Sequence, residues 1–394
     1  MSVPSPSQPF TGRLHTAGSA APTSSPDVLA HAHATVTAVT RAILRQGGSA
    51  VVTAVKEPHH GPDGDGPPLV FDWTVLAAAH AALLAEEAQP HTARGPLIIA
   101  VASEKAQASI PADRAGLWDA LLAADAVDLR RLPPGWGAGG QLRMETARHG
   151  DILITIAGAE GVEHLANLYR HRRRHVIPLD YPLGASHPSA AQGGEHLARV
   201  ALADPGRFLT LRDADPAASR LARCSHRRHA RGDDLAIELV KLLDDLAPPT
   251  AFYVRLLDRD DDAYPRVDAH FCEVVTPVIR SLGFEPVQMG TSPARGAFIN
   301  VDIFDRLATS TVVVIDLTGL RPNCFLELGY ALGQATPAIV TAEKGTRLPF
   351  DTHAMPCCFW DPATSPKFRQ QELREFWRAN IARAPVGPTP ISLW

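Results

Sequence analysis

The sequence predicts an α/β protein of two Rossmann-like domains, each a mostly parallel sheet flanked by helices. Three observations carry this reading. Short apolar runs rich in Val, Ile and Leu alternate with longer amphipathic segments, the pattern of strands covered by helices. The alternation is interrupted at Ala247-Pro248-Pro249-Thr250 and then starts afresh. Finally, 394 residues that are 45% hydrophobic and 20% charged are enough to fill two cores. The expected layout is a disordered arm over 1–9, a first domain over 10–247 with a helical C-terminal extension, a second over 251–383, and an irregular tail over 384–394.

In the first domain a strand over 13–17 leads into Gly18-Ser19. A helix follows, with Ser25 as N-cap, Pro26 at its first position and Asp27 in its first turn. Leu29, Val36, Val39, Ile43 and Leu44 keep to one face of it, and Gly47-Gly48 ends it. A strand over 50–55 comes next, then the loop 57–68, whose Gly and Pro content excludes helix and strand. Helix 72–88, strand 97–101, helix 113–124, strand 152–156, helix 160–172 and strand 175–179 complete the layer, and 193–246 reads as mostly helical.

The second domain reads as strand 251–257, helix 265–282, a short strand over 284–287, helix 298–308, strand 311–315, helix 322–334, strand 338–341 and helix 368–382. The run at 311–315 is almost purely β-branched, as in a strand buried on both faces.

Charge and cysteine content narrow the function classes. A formal charge of −4 pulls the chain toward neither nucleic acid nor anionic membrane, and no wide basic face interleaved with aromatics is present. No apolar run reaches about 18 residues, and the start lacks the basic and apolar segments of a secretory signal, so a cytoplasmic protein is expected. Five scattered cysteines without a CxxC pair read as free thiols. The acidic run 258–263 lacks the spaced ligands and Gly of a calcium loop and reads as solvated charge. Cys224, His226 and His229 lack a second ligand pair, so no metal site is expected there, and His59 and His60 read as surface residues. The basic runs 171–175 and 220–232 read mostly as solvated helix faces, and Trp136 either packs in its loop or stacks on a base.

The stretch 316–333 carries the strongest chemical signal. Asp316 leaves the carboxyl end of a buried strand, where ligands bind in open α/β sheets. On the next helix Asn323, Glu327, Tyr330 and Gln334 recur at spacings of four, three and four, one polar stripe beside the apolar Phe325, Leu328 and Leu332. Spacing alone also fits a solvated helix face. Arg255, at the end of the domain's first strand, either meets a phosphate or carboxylate in the same crevice or forms a surface ion pair with the acidic run.

With its upstream helix and strand and the Leu-Pro-Phe-Asp at 348–351, this stretch resembles the TIR-like and nucleoside 2-deoxyribosyltransferase-like families over about 110 residues. The resemblance rests on Asp316, Thr318, Gly319, Pro322, Asn323, Glu327, Gly329 and Tyr330. It implies binding or cleavage of the N-glycosidic bond of nucleosides or NAD, with Glu327 as the catalytic carboxylate and Asp316, Thr318, Asn323, Arg255 and Tyr330 around the substrate. NAD enters as substrate, and no cofactor is implied.

In the first domain Gly158 and Gly161 lie between a strand and a helix that carries Glu163 in its first turn, a place where backbone amides approach a phosphate. With Gly18 and Ser19, and with the sequence of 151–179, this turn resembles the SLOG family, related to the cytokinin-activating LOG enzymes. The PGG-x-G-T-x-x-E signature of the enzymatic members is incomplete, with Ala157 and Ala159 in the glycine run and no Thr, which favours ligand sensing over catalysis.

Together the two resemblances imply a bacterial defence-type protein, self-associating, in which the first domain binds a nucleotide signal and the second hydrolyses NAD. A nucleoside 2-deoxyribosyltransferase or hydrolase, or a protein that binds nucleotides without cleaving them, are the alternatives.

Overall fold

The computed structural model describes residues 9–53, 67–103, 110, 112–132, 138–184, 193–212, 217–288, 299–334, 336–353 and 355–381. Trp136, His59, His60, nearly all of the arm and the whole tail lie outside the described residues. The chain divides into two compact units, Met1–Thr92 with Pro96–Ala247, and Ala93–Gly95 with Pro248–Trp394.

The first unit is built on strands β1 (Arg13–Ser19), β2 (Ser49–Thr53), β5 (Ile98–Ser103), β6 (Val127–Leu132), β7 (Ile152–Ala157) and β8 (His175–Leu179); the two-residue strands β3 (His91–Thr92) and β4 (Gly95–Pro96) form a separate ladder. All six pair in parallel in the order β6-β5-β2-β1-β7-β8. Covered on both faces, β2, β5 and β7 read as nearly continuous Val, Ile and Ala. The chain winds outward from β1 to β6, then returns to place β7 on the other side of β1. The sheet therefore has a topological switch point between β1 and β7, where such folds hold ligands.

Helix Pro26–Arg45 buries Leu29, Val36, Val39, Ile43 and Leu44, as the spacing predicts, although the Ser25 side chain makes no capping hydrogen bond. The helical segment after Gly193 resolves into Gly194–Ala203, Ala217–Arg223 and Gly232–Asp245 with short 3₁₀ turns between them.

The second unit carries β9 (Thr250–Val254), β10 (Glu285–Gln288), β11 (Val312–Asp316), β12 (Ala338–Glu343) and β13 (Cys358–Trp360), parallel throughout in the order β10-β9-β11-β12-β13. This is again a doubly wound order, with its switch point between β9 and β11. Every residue of β11 is buried, each Val or Ile contributing about 1.5–3 kcal/mol of apolar burial.

The helical stretch Tyr264–Ser281 contains a π turn at Phe271–Val275. Pro277 has no N–H to offer the Glu273 carbonyl one turn earlier, which instead accepts a hydrogen bond from Gln370 Nε2 at 2.7 Å.

Candidate functional site

The carboxyl ends of β9 and β11 frame the crevice of the second unit, and two carboxylates follow β11. Asp316 closes the strand and is fully buried. It accepts from the Thr318 N–H at 3.0 Å, the Thr341 hydroxyl at 2.7 Å and Trp360 Nε1 at 2.9 Å. Burial raises its pKa, and these donors oppose the rise.

Asp316, expected around the substrate, is turned into the protein. Its oxygens are committed to the protein, and it fastens the loop after β11 to β12 and β13. Thr318 is buried in the same network, its hydroxyl accepting the Glu343 N–H at 2.8 Å.

Glu327 is solvated differently. The helix Pro322–Gly333 starts with Pro322 at its first turn and buries Cys324, Leu328 and Ala331. Glu327 is half-buried on it, and among the described residues no donor or cation pairs with its carboxylate. Burial alone pushes its pKa up to about 7. Its charge contributes, after burial, to holding the buried Cys324 thiol up at about 12. Asn323 is exposed one turn earlier, and Tyr330 is half-buried against Phe304, with ring centroids 4.7 Å apart.

Arg255, also expected around the substrate, is anchored beside β9. Its side chain is 8% exposed, 2.8 Å from Asp268, and lies over the Phe271 ring at 5.2 Å, so it is held by the helical stretch beside it. The ion pair expected of the acidic run does form, with another arginine: Arg321 reaches Asp258 at 2.9 Å and Asp261 at 2.7 Å.

In the first unit the switch point is lined by backbone. A Cβ on Gly18 would fall 1.9 Å from the Ile156 carbonyl oxygen, so β1 and β7 approach as closely as they do only because position 18 has no side chain. Gly158, at φ +80°, turns the chain out of β7, and its carbonyl accepts the Gly194 N–H at 3.1 Å. Gly193 and Gly194 pack directly on this turn: a Cβ at 194 would stand 1.9 Å from the Ala157 carbonyl oxygen.

Gly193-Gly194 lies outside the residues expected at this turn, and its signal is a glycine pair heading a helix. The helices Glu160–His171 and Gly194–Ala203 thus both begin at Gly158. Ser19, at the end of β1, joins the same edge, whereas Gly161 and Glu163 lie within the first turn of the helix Glu160–His171. The open face of Gly161 looks toward Arg143, whose Nη1 would be 3.3 Å from a Cβ there and whose buried Nε has no hydrogen-bond partner among the described residues.

A carboxylate outside the predicted set borders this edge. Asp72 is half-buried in the first turn of the helix Asp72–Leu84, and burial pushes its pKa up to about 7. Its local sequence is an ordinary helix start, so nothing in the one-dimensional pattern singles it out.

Of the basic runs, His171, Arg173, Arg223, Arg227, Arg228 and Arg231 are exposed, and a few members are drawn into packing. Arg174 donates to the carbonyls of Ala147, Arg148 and Gly150, Arg220 pairs with Asp245, and His175 Nε2 lies 2.9 Å from the Ala247 carbonyl oxygen. Cys224, His226 and His229 do not converge: His226 shares Asp180 with Ser225, while the His229 ring turns to the Arg223 carbonyl. Among the described residues no group of three or more His, Cys, Asp or Glu side chains could hold a metal, and no helix is long and apolar enough to cross a membrane.

Comparison with solved structures gives only loose superpositions. One is with a fungal multi-domain GH3 β-N-acetylglucosaminidase bearing a GCN5-related glucosamine N-acetyltransferase region, at 12% identity and TM-score 0.21, covering 92% of this chain and 48% of that one, so this chain spans about half its length. Another is with E. coli heptosyltransferase WaaC with ADP-2-deoxy-2-fluoro heptose, at 14% identity and TM-score 0.22, covering 93% and 99%. Neither bears on fold or activity, and no curated protein matches the chain. Residues 10–243, more than half of the sequence and, apart from Ala93–Gly95, within the first unit, match the family described as ATP nucleosidase Cap17-like, N-terminal, and the chain belongs to that family.

Proposed function

We propose that this chain hydrolyses the N-glycosidic bond of a nucleotide, NAD in the first instance, with Glu327 as the catalytic carboxylate, and that the first unit binds a nucleotide signal at the β1/β7 edge. The observation that carries this reading is the half-buried Glu327 carboxylate, with no partner among the described residues, on the helix that leaves the switch-point strand β11. The family match supports a nucleotide ligand for the chain. The glycine turn at Gly158, the two helix N-termini meeting there and Arg143 nearby suit a phosphate group. The TIR-like and SLOG resemblances extend the reading to a defence protein that self-associates and depletes a nucleotide pool.

In the reaction the C1′–N bond breaks with its electron pair going to the base, and water adds to C1′, losing a proton to solvent. The ribose passes through an oxocarbenium-like state, which an ionised carboxylate beneath it stabilises. From NAD the nicotinamide departs neutral and needs no acid. A nucleotide with adenine as leaving group, favoured as a second reading by the family description, needs a proton on the base as it leaves.

Glu327, at about 7, can serve either role, and pH separates them. As an ionised stabiliser it gives a rate that rises as pH passes upward through about 7; as a proton donor it gives a rate that falls over the same range. Chromatographic assay of nicotinamide from NAD and adenine from ATP, with and without added nucleotide signals, tests the proposal. Glu327→Gln should lower turnover by about 10²–10³-fold, as loss of a charge-stabilising group does. Equal turnover in wild type and variant, or no release of either base under any condition, overturns it.

A further inference from the structure

The first unit holds a half-buried carboxylate, Asp72, at the carboxyl end of β2. Asp72 Oδ1 accepts the N–H of Thr53, the last residue of β2, at 2.9 Å. The segment that delivers it crosses the ends of the central strands: the Ala20 N–H donates to the Leu69 carbonyl at 2.8 Å, and Ser19 forms an antiparallel bridge with Val70. On the other side, the Ser19 nitrogen would be 3.4 Å from a Cβ on Gly158. The carboxylate, the end of β1 and the glycine turn after β7 therefore follow one another along a single edge of the sheet.

We propose that Asp72 is the ribose-binding residue of this edge, accepting hydrogen bonds from the 2′ and 3′ hydroxyls of a nucleotide whose phosphates lie over the Gly158 turn. In dinucleotide-binding sheets an acidic residue at the end of the second strand holds the ribose while the phosphates sit on the glycine turn. Here the strand itself ends in Thr53, and the chain supplies the acid from the helix that follows. Among the described residues no side chain donates to Asp72 and no cation pairs with it; its carboxylate is met only by the backbone N–H groups of Thr53 and of Asp72 itself, which leaves acceptor lone pairs for a ligand. Its position is fixed on both sides by Phe71 and Trp73, which are 0% and 2% exposed. His33 holds the same segment, with ring nitrogens 2.7 Å from the Pro68 carbonyl oxygen and 2.7 Å from the Thr74 hydroxyl.

This inference rests on the reading that the first unit binds a nucleotide, and the test separates the two. The full-length Glu327→Gln chain, which should not consume ligand, is titrated with ATP and with 2′,3′-dideoxy-ATP. Hydrogen–deuterium exchange of the peptides spanning 13–24 and 67–76 locates the binding. ATP should protect both peptides and bind at least tenfold more tightly than the dideoxy analogue. Adding Asp72→Asn should weaken ATP by at least tenfold and leave the analogue unchanged.

Equal affinity of ATP and the analogue in a chain that protects these peptides overturns the ribose assignment while keeping the nucleotide reading. No protection by ATP or NAD overturns both. The comparison of the two ligands needs no Asp72 variant, so it decides the matter even if that variant does not fold.

Discussion

Asp316 and Glu327 belong to one strand–helix unit and meet opposite fates. Asp316 is fully buried, yet three donors turn toward it. Glu327 keeps some contact with solvent, yet no group among the described residues answers its charge. Both are raised by burial, so the shift alone does not tell a structural carboxylate from a chemical one. The count of donors does. A fully satisfied carboxylate ties elements together and has little left for a ligand, whereas an unanswered one is costly to the fold and is available to a developing positive charge.

The largest effect that would test this contrast is on stability at Asp316. Asp316→Ala leaves the Trp360 indole buried without its acceptor and the Thr341 hydroxyl with only the Ile315 carbonyl at 3.4 Å, which should cost about 2–3 kcal/mol. Calorimetry of the full chain should show an early transition, and turnover should fall in step with the folded fraction. Normal stability with abolished turnover would move Asp316 into the site and erase the distinction.

At Glu327 the effect has the opposite sign and is smaller. Its pKa is raised on folding from 4.5 to about 7, so the folded state binds the proton more tightly than the unfolded chain. Its contribution to stability is most favourable below about 4.5, declines as pH rises to about 7, and is flat beyond. Glu327→Gln removes that decline. After allowance for solvent contact, the variant should be more stable than wild type by about 1–2 kcal/mol at pH 8 and unchanged at pH 4.5, measured by urea unfolding. A destabilised variant at pH 8 would mean that the carboxylate has a protein partner after all.

The distinction between these residues was only half legible in the sequence. The β-branched run of β11, the proline at the next helix and the polar stripe through Glu327 are local signals, and they place the strand, the helix and the side chain. The donors to Asp316 are not local. Thr341 and Trp360 come from β12 and β13, and β13 itself is only Cys358–Trp360, too short to leave a periodic pattern.

The same reason hides β6 and the helix Ala138–His149 in the first unit. Val127–Leu132 is a half-exposed edge strand with Asp128 paired to Arg130, so it lacks the apolar run that marks β5 and β7. The ion-pair partner of Arg255 is hidden for a related reason: Asp268 lies on a helix whose packing the strand sequence does not encode. Helix faces and buried strands are written in local periodicity, whereas the partner of a polar group depends on which distant elements become neighbours.

The smallest expected effect concerns Gly329, which takes part in the family-like pattern around Glu327. It is exposed within the helix Pro322–Gly333, and a Cβ there would meet nothing within 4 Å among the described residues. Two residues on from Glu327, it points about 200° away around the helix, onto a different face. Gly329→Ala should therefore stabilise the helix by about 0.5–1 kcal/mol, the usual gain from restricting the unfolded chain, and leave turnover within about twofold of wild type. Loss of turnover in a well-folded Gly329→Ala chain would show that a ligand or another segment approaches the helix on the glycine side. The reactive face would then have to be redrawn around Gly329, because a substrate bound there would lie across the helix from the Glu327 carboxylate.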